Sequence, residues 1–141
     1  MKLRRVYNKH IPLKGFVAFT LFPWVFIRED LRQKYTPTVN RHENIHAVQQ
    51  IEVFVFGVML AVFMLYSGCE WWSLLPLPLF FWLYILEWII KLPFCNWNLD
   101  KTYHSISFEQ EAYYHQGKIE YILLRDDYAW VKYIFKFYKK K

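Results

Sequence analysis

Polar and apolar positions divide the chain into segments of different character. Residues 1–14 hold Lys2, Arg4, Arg5, Lys9 and Lys14 and no acid. From Ile11 to Ile27 the chain is apolar but broken by Pro12, Lys14, Gly15 and Pro23. The basic start and apolar middle look superficially like a signal peptide, yet no small-residue cleavage site follows. Phe, Val, Thr and Trp favour strands, so Phe16–Phe22 and Trp24–Arg28 are expected to form a small N-terminal β-hairpin. A charged turn, Arg28 to Lys34, follows. Pro37 keeps Thr36 out of helical geometry, and Thr38 or Asn40 is placed to cap a helix. That helix starts polar and turns apolar on every face from Val53 to Tyr66. Its segment 51–67 carries one charge and is at the short end for crossing a bilayer.

Ser67-Gly68-Cys69-Glu70 reads as a tight connection, and Trp71 and Trp72 as an interfacial anchor. The segment 71–90 has Glu87 as its one charge and reads as a second span, with Pro76 and Pro78 near its entrance. Glu87 and Lys91 are four apart, in the favourable order for a helical pair. Residues 93–104 read as a polar, aromatic connection, and a helix is expected from Ser105 or Ser107 until Gly117. Ile119–Lys141 alternates aromatic, aliphatic and basic residues, which predicts an amphipathic helix lying on a membrane surface, anchored by Trp130 and the terminal lysines. The expectation is a mainly α membrane protein, one domain over residues 1–141, built on a two-span transmembrane hairpin. Both termini then share one side with every Lys and Arg, which the positive-inside rule makes cytoplasmic. The protein is therefore expected in the inner (cytoplasmic) membrane, in contact with the lipid bilayer.

Composition sharpens this picture. The chain is 55% hydrophobic and 22% aromatic yet carries a formal charge of +6. Aromatic residues in a basic setting also suit single-stranded RNA. Here the charges gather at the ends and the aromatics in uncharged runs between them, so nucleic acid is not expected as a partner. Cys69 and Cys95 lie at opposite ends of the second apolar run and read as reduced thiols.

The polar start of the long helix contains His42-Glu43-Asn44-Ile45-His46. Histidines four apart project from one face of a helix, one turn above the other, and two neutral imidazoles so placed can share one tetrahedral zinc. Glu43 is rotated off that line and can take a proton from a metal-activated water without ligating. This is the H-E-x-x-H arrangement of zinc peptidases. Catalytic zinc usually takes a third protein ligand, and the two-span topology returns Ser107-Phe108-Glu109-Gln110-Glu111-Ala112-Tyr113 to the same membrane face.

In these two segments the sequence resembles the gluzincins, above all integral-membrane members such as the prenyl-protein proteases and the heat-shock membrane proteases. Their second motif, Ser-Arg-x-x-Glu-x-x-Ala-Asp, lies without a gap on Ser105 to Tyr113. The resemblance implies a zincin-like active helix, Glu109 as third ligand of Zn2+, and Ala112 as the small residue that lets the helices pack. Ile106 stands in place of the motif's Arg, and Tyr113 in place of the Asp that supports a zinc-bound histidine. Minimal gluzincins run H-E-x-x-H-x-x-Gln-Gln, as His42 to Gln50 does. Glu111 is the rival third ligand, since two residues along a helix turn it to another face than Glu109. His104, His115 and Tyr113 are candidates for an outer hydrogen bond or for stabilising an oxyanion. Glu52 and Glu87 are expected near the cytoplasmic ends of the spans, drawn by the headgroups.

The expected activity is hydrolysis of a peptide or membrane-protein substrate at the cytoplasmic membrane surface. The strand before the active helix is a place for extended peptide to pair, and a second copy or a partner protein could complete so small a cleft. The alternative is a catalytically inactive zinc-binding scaffold or regulator of the same fold. A di-iron lipid-modifying enzyme would need many more than the 5 histidines present.

Overall fold

The computed structural model describes residues 3–13 and 15–138. It is mostly helical, with a small three-stranded sheet. The sheet corrects the expected hairpin. β2 (Ala18–Leu21) and β3 (Trp24–Arg28) pair antiparallel, Ala18 opposite Ile27, but β1 (Arg4–Asn8) adds in parallel on the other side, Arg4 opposite Trp24. The order is β1-β3-β2, so β2 is an edge. A parallel partner carries no turn signal in the sequence, and the basic residues of β1 drew attention away from Leu3, which is buried with Val25, Ile27 and Ala47. β3 alternates, and its inward Val25 and Ile27 seat the sheet on the helix that follows.

That helix, α1 (Pro37–Tyr66), is unbroken for 30 residues. Thr36 caps it, its side chain accepting from the Val39 N–H at 3.3 Å, and Pro37 takes the first turn, where its missing N–H costs nothing. The cap thus falls earlier than Thr38 or Asn40. The first half of α1 is covered by the sheet and later helices, whereas Phe54 to Tyr66 is largely exposed. It is long and apolar enough to cross a membrane, and among the described residues it is the one helix that is.

The return path is not a second helix of that length. Glu70–Leu74 forms a 3-10 turn and residues 75–78 further turns, and α2 starts only at Leu79, running to Phe94. Pro76 and Pro78 withhold two N–H groups from the start of the run. The irregular segment lies against α1 at Gly57, where an added Cβ would stand 2.4 Å from the Pro76 carbonyl oxygen.

Where a connection was expected, α3 (Leu99–Ser105) forms, capped by Asn98 accepting from the Lys101 N–H at 2.9 Å. α4 (Ser107–His115) follows after the buried Ile106. Phe108 packs on Phe80 and Trp130, with ring centroids 4.6 and 4.5 Å away, in a second core with Val53 and Ile106. Among the described residues the long C-terminal amphipathic helix does not form. α5 (Tyr121–Leu124) stops at Arg125, Tyr128 takes a left-handed conformation (φ 52°), and Ala129–Tyr133 is a 3-10 turn. Trp130 faces the core rather than a membrane surface, and the terminal lysines 139–141 fall outside the described residues. Cys69 and Cys95 are both free thiols.

Candidate metal centre

The first turns of α1 and α4 meet over the second core, and this meeting brings His42, His46 and Glu109 together, all buried. Placement of α4 depends on α2. Glu87 caps it, one carboxylate oxygen accepting from the Ser107 N–H at 2.9 Å and the other from the Ser107 hydroxyl at 2.6 Å. Lys91 pairs with Glu87 at 2.7 Å and donates to the carbonyls of Ser105 and Lys136. Both charges of α2 are therefore turned inward as fasteners, which corrects the expectation that Glu87 answers to headgroups. Glu109 sits in the first turn of α4, where the helix dipole favours its negative charge.

His42 Nε2 and His46 Nε2 stand 3.0 Å apart. Each lies 3.3 Å from a carboxylate oxygen of Glu109. A tetrahedral ion bound at 2.0–2.1 Å needs its ligands about 3.3–3.4 Å apart, so the three side chains are spaced as ligands of one ion. Buried Glu109 Oε2 has no hydrogen-bond partner among the described residues, and an orphan acceptor of this kind fits a cation. The donor set, two imidazoles and one carboxylate, can hold a metal ion.

Surrounding residues fix His46 and Glu109, whereas His42 Nδ1 is buried with no hydrogen-bond partner among the described residues. His46 Nδ1 lies 2.8 Å from Gln49 Oε1, while Gln49 Nε2 donates to the Phe108 carbonyl and to Glu111 Oε2, each at 3.1 Å. With both N–H groups of the amide committed, its oxygen must face His46. Nδ1 then carries the proton and Nε2 keeps its lone pair for a metal. Tyr84 donates to Glu109 Oε1 at 2.9 Å. Burial alone would push His46 down, but the Glu109 carboxylate, with Glu43 and Gln49, carries it up to about 9 in the metal-free protein. Burial pulls Glu109 up in turn, and the two histidines overcome it and hold the acid well below the usual carboxylate range.

Glu43 lies beside the triad at the wall of the same cleft, its Oε2 accepting from the Thr20 hydroxyl of β2 at 2.7 Å. The cleft encloses about 550 Å³ and runs between β2 with the loop before it and α2. Thr20, Glu43, His46 and Glu109 line it together with Phe19, Phe80, Phe81, Ile85 and Trp88, which make much of its wall apolar. Gln50 ties β2 to α1, donating to the Thr20 carbonyl and accepting from the Phe22 N–H.

The chain matches no known family profile, curated protein or solved structure significantly. What can be said of the site thus rests on its own geometry. His42 and His46 come together as their spacing predicts, and Glu109 joins them as the resemblance implies. Glu111 does not join them. It is buried 2.5 Å from Arg125 Nε, takes the Tyr121 hydroxyl, and shares Arg125 with Glu52. Glu52 is accordingly a partner of the C-terminal segment rather than a headgroup-facing acid. Tyr113 meets His42 edge-on, centroids 4.6 Å apart, and His104 packs behind Tyr113 at 4.9 Å without reaching the triad. His115 is elsewhere, stacked on Tyr121 at 3.7 Å and bonded to the Tyr133 hydroxyl. Tyr103, a candidate beside His104 for stabilising an oxyanion, lines the cleft, whereas Tyr84 and Thr20 were missed. Nothing local marks these two, since packing of α2 and β2 across long sequence separations brings them to the cleft. Gln49 carried a signal in the H-E-x-x-H-x-x-Gln-Gln pattern.

Proposed function

We propose that the chain is a membrane-embedded zinc peptidase of gluzincin type. The observation that carries the reading is the spacing of His42, His46 and Glu109 as three ligands of one ion, with Glu43 beside them in an apolar cleft. When bound, zinc would polarise the scissile carbonyl and bring the pKa of a water toward neutrality. Glu43 takes the proton from that water as its oxygen adds to the carbonyl carbon, then delivers it to the amine nitrogen as the C–N bond breaks. Thr20 holds the Glu43 carboxylate in position for both transfers. Substrate lies beside β2, an edge strand at the cleft; Gln50 already takes its Thr20 carbonyl and Phe22 N–H, so the strand serves as a wall rather than as a free pairing edge.

Membrane residence is supported by α1. Only 22% of its most apolar window is buried, whereas the core helix of a soluble domain is mostly covered. Tyr66, Trp71 and Trp72 cluster at the far end, as an aromatic belt would. The second crossing is made by the irregular segment 71–78 together with α2, and the basic residues on the opposite side make that side cytoplasmic.

The test is cleavage of quenched fluorescent peptides by the protein reconstituted in bilayers, wild type beside Glu43→Gln. Zinc-dependent cleavage by wild type, lost in a Glu43→Gln protein that keeps its zinc, is the expected result. Zinc without cleavage in both would favour the second reading, an inactive zinc-binding scaffold.

A further inference from the structure

The far end of α1 is not the only surface built for lipid. From Leu79 to Phe94, α2 turns its two charges, Glu87 and Lys91, toward α4 and leaves Trp82, Ile85, Leu86, Ile89, Ile90 and Phe94 exposed. This face continues past the metal set. Tyr84 is level with Glu109, which it bonds, and Ile90 lies about 9 Å farther along the helix axis. In the other direction His46 and Tyr66 are twenty residues apart on α1, about 30 Å, which is the thickness of a hydrocarbon core. With Tyr66 at the far boundary, the triad lies at the near one, and apolar protein surface extends beyond it.

The cleft opens on this side. Ile85 of α2 stands at one rim, and Ile11, Leu13 (76% exposed) and Phe16 at the other. The apolar rim loop is held in place, Arg28 donating to the Pro12 carbonyl and Phe16 packing edge-on against Tyr103 at 5.5 Å. Among the described residues of that rim loop, His10 is the polar one. A mouth meant for soluble peptides would leave Leu13 and Ile85 unfavourably in water.

We propose that the cleft opens laterally into the near leaflet, and that its substrate is an apolar peptide segment reaching the metal from the lipid phase. This rests on the peptidase reading and narrows it to membrane-resident substrates. Phe19, Phe80, Phe81 and Trp88 receive the side chains flanking the scissile bond.

Two measurements on the full chain in nanodiscs test it, in a Cys69→Ser background with Cys95 left buried. Bimane is attached at Leu13→Cys or Ile85→Cys, with Lys118→Cys as control. Acyl-chain doxyl lipid is expected to quench the first two and aqueous iodide only the third. In the second measurement, benzoylphenylalanine at Phe16 is expected to crosslink a Lys-flanked Leu/Ala single-span peptide and not a soluble peptide. Iodide quenching at Leu13 and Ile85 without doxyl quenching, or crosslinking to the soluble peptide alone, would overturn the proposal. Zinc content of the same samples separates the two failures. Zinc present with a water-facing mouth removes the lateral opening and leaves the peptidase reading, whereas a metal-free protein removes the peptidase reading itself.

Discussion

Gln49→Met isolates the residue that aims His46. Methionine keeps the length and apolar bulk of the side chain but offers neither the acceptor for His46 Nδ1 nor the donors to Phe108 and Glu111. Glu111 retains Arg125 and Tyr121, and the Phe108 carbonyl keeps its place in the α4 helix, so the atom left bare is His46 Nδ1. One buried orphan costs about 1–3 kcal/mol of stability. Loss of an outer partner also frees the imidazole, which lowers metal affinity about 10–100-fold. Competition for zinc against a chromophoric chelator, in detergent, reads the second effect, and melting with and without zinc reads the first. Gln49→Glu is the companion variant: it restores an acceptor for His46 but faces Glu111, so zinc affinity is kept while the metal-free protein melts lower. A folded Gln49→Met protein that binds zinc as tightly as wild type would refute the assignment.

Three further expectations concern the frame and the acid–base balance of the site. Gly57→Ala puts a Cβ against the Pro76 carbonyl, which cannot yield without moving the backbone; a loss of about 1–3 kcal/mol is expected, and an unchanged melting point would contradict the packing. Arg125→Met leaves buried Glu111 and half-buried Glu52 without their cation, a loss of about 3–5 kcal/mol readable by thermal melting, with Glu52→Gln recovering part of it. In the metal-free protein His46 is raised to about 9. The stability from its pairing with Glu109 is therefore fully present below the unfolded histidine value of about 6.5 and is lost as pH rises through the folded one. Zinc competes with that proton, so its affinity should climb as pH rises from about 6.5 toward 9; a flat affinity over this window in chelator competition would count against the pairing.

Local signals carried much of the site and little of its support. The spacing of His42, Glu43 and His46 is a property of one helix, and Thr36-Pro37 marks the start of that helix within a residue or two. Glu109 was legible only through the resemblance of Ser105 to Tyr113 to the gluzincin second motif; helical rotation says that Glu109 and Glu111 face different ways, not which of them meets the histidines. The parallel strand β1 was not legible, since its partner lies twenty residues away with no turn to announce it. The apolar run 71–90 does not form one helix, because Pro76 and Pro78 keep its start irregular, which apolar composition does not show. The C-terminal segment has an amphipathic pattern, but Arg125 is drawn into the Glu52–Glu111 pair and breaks it. Tyr84 and Thr20 entered the site through tertiary packing that no short pattern encodes.

The central claim is that one zinc ion sits between α1 and α4, and elemental analysis of the detergent-purified protein tests it most directly. Wild type and Glu43→Ala should each hold about one zinc per chain, with His46→Ala and Glu109→Ala holding none. Wild-type protein that carries no zinc, even after zinc is supplied and excess removed, would contradict it.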